Sequence, residues 1–147
     1  MKRLVLLFVF FAMIGYADAQ SVPRDPVAGN IVGTPISAVF SGADTTSQNV
    51  QLAGVTNKTT YICGFSVSGL GATAATTLSV TVGSLAPGVT MTFQYVMPAG
   101  ATVQATQLNA NFTMCLPASA AGGTITVTVP GAAGNTATQI NAWGYQL

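Results

Sequence analysis

Histidine and glutamate are absent from this 147-residue chain, and charge of either sign is scarce. Charged residues make up 5% of the chain, and most of them lie in its first 25 positions. General acid–base catalysis needs a titratable group tuned near the working pH, most often His or a carboxylate. Without His, neither a Ser-His-Asp nor a Cys-His site can be assembled within one chain. A glycosidase needs two carboxylates flanking one bond. The two beyond the N-terminal leader are Asp25, between Pro23 and Pro26, and Asp44, in the turn-like "SGADTTS". Nothing in the pattern brings them together, and both read as solvated arm and turn residues.

Metal and nucleic-acid chemistry are disfavoured by the same scarcity. Zinc takes clustered Cys, His or carboxylate ligands, and this chain has two cysteines 52 positions apart. Asp44 and its neighbours match no calcium-loop pattern. Nucleic-acid binding rests on Lys and Arg neutralising phosphates, and only Arg24 and Lys58 follow the leader. These two against Asp25 and Asp44 give zero net charge. No cofactor, no metal site and no catalytic residue is expected; the chain reads as non-enzymatic.

What is present begins with "MKRLVLLFVFFAMIGYADAQ". Lys2 and Arg3 precede an uncharged, mostly apolar run from Leu4 to Gly15. Ala17 and Ala19 then place small residues at the −3 and −1 positions of a cleavage site. This is the pattern of a secretory signal peptide, residues 1–19, cut before Gln20. The apolar run is short for a bilayer span, which needs about 20 apolar residues. No later stretch could span a bilayer as a helix. The expected location is secreted, periplasmic or surface-associated.

Export decides how the cysteines read. In an oxidising compartment an even count implies a disulfide framework. Two cysteines allow one intramolecular pairing, Cys63 with Cys115, worth roughly 4 kcal/mol for a loop of this length. A free pair or an intermolecular link is the alternative. A reactive thiol needs a neighbouring cation or base, which "YICGF" and "TMCLP" do not supply.

After the leader, residues 20–35 carry three prolines and two glycines and read as an extended arm. From residue 36 to 147, short alternating runs are cut by Gly and Pro turns. The runs are "ISAVF", "QNVQLAG", "TTYICGFSV", "TTLSVTV", "VTMTFQYVM", "TQLNANFTM", "TITVTV" and "TATQINAWGYQL". Period-two alternation of this kind is the signature of half-buried antiparallel strands. The expected fold is an all-β antiparallel sandwich, jelly-roll-like, of seven or eight strands, preceded by the cleavable signal helix. Tyr61, Cys63, Phe65 and Val67 fall on one face, and Leu108, Ala110, Phe112 and Met114 on another. Cys115 is out of phase with that second set. Either a bulge intervenes near Thr113 or Cys115 lies just past the strand end, before Pro117; the latter is preferred.

Recognition has two places to reside. The polar faces are Thr, Ser, Asn and Gln, and a near-neutral surface favours self-assembly or docking on a protein partner. The final run puts Asn141, Trp143 and Tyr145 on one face and Ile140, Ala142 and Gly144 on the other. Trp143 is the single Trp. An aromatic pair beside amides suits stacking against a glycan, so these three are candidate ligand-binding residues. The competing reading, that this is the core face, is preferred because large aromatics are mostly buried. Asn57-Lys58-Thr59 and Asn111-Phe112-Thr113 match the N-glycosylation pattern.

The segments "KTTYICGFSVSG", "CLPASAAGGTITVTVP" and "NAWGYQL" resemble short secreted β-sandwich proteins of bacteria and tailed phages. The similarity runs from about residue 30 to the end. It implies a β-sandwich with a paired cysteine and a virion-associated or cell-surface role. It carries over no functional residues, since the group has no assigned activity. The function expected is therefore structural or surface interaction on a cell envelope or phage particle. The alternative is a carbohydrate-binding module built on the C-terminal aromatics.

Overall fold

The computed structural model describes residues 33–42, 46–132 and 137–147. The signal segment with Ala17, Ala19 and Gln20, most of the arm, and Asp44 lie outside the described residues. Eight strands follow one another: β1 (Thr34–Gly42), β2 (Gln48–Leu52), β3 (Thr60–Leu70), β4 (Thr76–Leu85), β5 (Val89–Met97), β6 (Leu108–Pro117), β7 (Ile125–Val129) and β8 (Ala137–Gln146). Each coincides with one of the alternating runs. The first strand starts at Thr34, so the end of the expected arm is already sheet; Pro35 is tolerated there because β1 is an edge strand.

The strands form two four-stranded sheets, β1-β8-β3-β6 and β2-β7-β4-β5. All the pairings are antiparallel. The order has a simple origin. Strand β1 pairs with β8, β2 with β7, β3 with β6 and β4 with β5. The chain is thus one long hairpin whose tip is the β4–β5 turn. Rolling that hairpin up adds the β3–β8 and β4–β7 pairings. The result is the jelly-roll form of the β-sandwich.

The core lies between the sheets and is built from the alternation. Ile62, Phe65, Val67, Ile140 and Ala142 face Val80, Val82, Tyr95, Met97, Ile125 and Val127, all buried. Three phenylalanines join the layers: Phe65 meets Phe93 edge-on at 5.0 Å, and Phe112 packs beside both. The buried Gln146 side chain donates to the Ala53 carbonyl at 2.6 Å, fixing the end of β8.

The cysteines pair as Cys63–Cys115 with Cα atoms 4.1 Å apart. The position of Cys115 differs from the preferred reading. It lies within β6, and the register against β3 jumps from Ile62↔Leu116 to Gly64↔Asn111. The β3–β8 register shifts at the same place, from Ile62↔Gly144 to Gly64↔Trp143. Cys63 is therefore an extra residue in β3, and β6 carries residues 112–115 opposite it. An inserted residue flips every later side chain to the other face. Hence Ile62, not Tyr61 or Cys63, points into the core, while Phe65 and Val67 resume the inward phase. The irregularity in β6 likewise leaves Met114 52% exposed, outside the apolar row expected for it. The disulfide joins neighbouring strands, one of them a sheet edge, rather than a strand to a loop.

Candidate functional site

The bulge decides which side chains reach the outer face of the β1-β8-β3-β6 sheet. Cross-strand registers place them in rows. Pro35, Tyr145, Tyr61 and Pro117 form the first, and Ser37, Trp143, Gly64 and Asn111 the second. Val39, Asn141, Ser66 and Asn109 form the third, and Ser41, Gln139 and Ser68 the fourth. The same strands send Ile36, Ala38, Phe40, Ile140 and Ala142 to the core side.

The aromatics at one end are locked by contact. Tyr61 and Tyr145 stack with ring centroids 4.8 Å apart and planes 13° from parallel. Tyr145 is 5% exposed beneath this partner, and burial, then the neighbouring Tyr61, push its phenol above the usual range. Trp143 is half-buried on this outer face and is not a core residue. This overturns the preference for a core Trp. The neighbouring positions Ala142 and Ile140 are the ones that point inside, so alternation along β8 turns Trp143 outward. The indole lies instead across β3, over Gly64. A methyl group at Gly64 would come within 2.5 Å of Trp143 Cζ2 and 2.6 Å of the Ala110 carbonyl oxygen. Gly144 is required by a related closeness, since a side chain there would run into the Tyr61 carbonyl.

Next along the face, Asn141 Nδ2 donates to Ser66 Oγ at 3.3 Å. Beyond this pair the sheet ends in a cleft of about 330 Å³, lined by Ser41, Ser68, Gly69, Leu70, Gln104, Ala137, Thr138 and Gln139. Among the described residues its side-chain polar groups are hydroxyls and amides. Lys58 is the one charged side chain among the described residues, and it reaches the Thr34 hydroxyl at 3.5 Å, near the opposite end of β1.

The structure thus brings Asn141, Trp143 and Tyr145 to one outer face, with Tyr145 covered and the other two partly exposed. Sequence reasoning missed Tyr61 and Gly64, whose part depends on the phase change at Cys63. It also missed Gln104, Gln139 and Ser68, which only the ends of three segments bring together. Among the described residues no three metal-ligating side chains gather. The chemistry this face offers is stacking and neutral hydrogen bonding. No protein-family model matches the chain, and a search of curated proteins returns no match.

The opposite outer face, on β2-β7-β4-β5, is of another kind. Asn49, Thr128, Thr81 and Thr92 form one row across it, and Ser79 pairs with Gln94. Among the described residues it carries mainly hydroxyls and amides, with Val96 60% exposed opposite Thr77, and no aromatic row. Among the described residues no helix is long and apolar enough to cross a membrane.

Proposed function

We propose that this chain is an exported, non-enzymatic structural or surface-interaction protein that decorates a cell envelope or phage particle. The observation that carries this reading is the outer face of the β1-β8-β3-β6 sheet. It holds partly exposed Trp143 and Tyr61 amid neutral amides and hydroxyls, on a sandwich tied by a disulfide. The leader pattern supports export, and the disulfide is compatible with an oxidising compartment. Jelly rolls serve in capsids and lectins alike. A surface with so little charge has little to hold neighbours apart.

A second reading, glycan binding, is favoured by one specific observation. The Trp143 indole packs against the buried Gly64 and remains partly exposed beside the Asn141–Ser66 pair. Aromatic faces flanked by amides are what pyranose rings stack on.

The test is mass spectrometry on the exported protein without reductant, joined to sedimentation with envelope fragments and particles from the source culture. The expected species begins at Gln20, is two hydrogens lighter than the reduced chain, and sediments with one of the two or as a discrete oligomer. A monomer that stays in the medium and binds neither contradicts the proposal.

A further inference from the structure

The two ends of the outer face are joined by a single strand. Trp143, Asn141 and Gln139 alternate along β8, all on the same side. From Trp143 to Gln139 is four residues, or about 14 Å of antiparallel strand. That is the reach of a short oligosaccharide, not of one sugar ring. The cleft at the far end is walled by Leu70 and Ala137, with Ser41, Gln139, Ser68 and Gln104 supplying donors and acceptors. Gln104 is brought there by pairing with Leu70.

We infer that this face binds a neutral oligosaccharide laid along β8, stacked on Trp143 and hydrogen-bonded in the Ser41–Gln139–Ser68–Gln104 cleft. The inference rests on the glycan reading above and names its ligand class. Three features select the occupant. Among the described residues the face holds no charged side chain that would pair with a uronic acid or sulfate, and none that would bind a phosphate. Its hydrogen-bonding groups both donate and accept, as sugar hydroxyls do. An aromatic platform lies a ligand's length from the cleft, whereas the opposite sheet has polar side chains without a platform. The Ser66 hydroxyl accepts from Asn141 Nδ2, and a carboxamide has an oxygen acceptor besides that donor.

The experiment uses the full mature chain and its single Trp as reporter. Neutral hexasaccharides of glucose, xylose, mannose and N-acetylglucosamine are titrated against Trp143 emission, with oligogalacturonate as the acidic control. The expected result is a saturable emission change with one or more neutral hexasaccharides and none with the acidic one. The matching disaccharide should bind about tenfold or more weakly. The Gln104→Ala, Gln139→Ala double variant keeps the reporter and should lose about tenfold in hexasaccharide affinity, while Thr92→Ala on the other sheet changes nothing. Hexasaccharide binding that is indifferent to the double variant and to chain length overturns the extended site but leaves stacking on Trp143. Failure of every saccharide to bind, with the fold intact by circular dichroism, overturns the glycan reading with it.

Discussion

At Gly64 the backbone of β3 has no side chain, and the Trp143 indole occupies the space a methyl would need. The pair explains how a large aromatic sits on an exterior face without being fully exposed. Removing the indole uncovers one glycine and leaves the core closed. Trp143→Ala should therefore retain the fold, costing about 1–2 kcal/mol rather than the larger penalty of a core truncation. Urea unfolding followed by circular dichroism reads this directly, and a cost near 4 kcal/mol would return the residue to the core. Tyr95 is the reverse case. It is 2% exposed, and its hydroxyl has no hydrogen-bond partner among the described residues. Burial pushes this phenol up to about 12. The hydroxyl thus costs desolvation and returns nothing. Tyr95→Phe should leave stability unchanged or raise it by up to about 1 kcal/mol. The sign at high pH follows from linkage. The folded phenol stays neutral where the unfolded one ionises, so titration places no penalty on the fold below pH 10, and stability is lost as pH rises from there through about 12. Denaturation curves at pH 9 and pH 11 should converge more closely for Tyr95→Phe than for the parent chain.

The element that organises the candidate face is the irregularity shared by β3 and β6. It sets Ile62 inside, turns Tyr61 toward Tyr145, and places Gly64 opposite Trp143. The disulfide ties its two strands at that point. Reduction, or Cys63→Ser with Cys115→Ser, should cost about 2–4 kcal/mol in chemical unfolding. It should also alter Trp143 emission in the folded state, because the strand under the indole is released. A disulfide that served only to shorten the unfolded chain would leave that emission where it was. All eight strands were legible in the sequence, because alternation and turn residues are local signals. Their faces were legible wherever alternation ran unbroken, as in β4 and β7. They were not legible through "YICGF", where Tyr61, Cys63, Phe65 and Val67 keep perfect period two and conceal an inserted residue. Only the mismatch of Cys115 with its neighbours hinted at the bulge. Trp143 was misplaced for a related reason: a strand's alternation says which residues share a face, not which face is inside.

At the scale of the whole molecule, the jelly roll separates two unlike exteriors. One is Thr-, Ser- and Gln-rich on β2-β7-β4-β5; the other is aromatic and amide-bearing on β1-β8-β3-β6. The strand order makes this so, since β8 and β3 become neighbours only when the hairpin is rolled. With no histidine in the chain, stability is expected to be level from roughly pH 6 to 9. Near-zero charge leaves association to surface shape and hydrogen bonding instead of steering. The measurement that bears most directly on the working face compares the two exteriors in one sedimentation assay, with envelope fragments and particles from the source culture. Asn141→Ala with Trp143→Ala disarms one sheet, and Thr81→Ala with Thr92→Ala disarms the other. The first pair should lower retention about tenfold while the second leaves it at the parent level. Retention that survives loss of Asn141 and Trp143, or falls only when Thr81 and Thr92 are removed, would contradict the assignment.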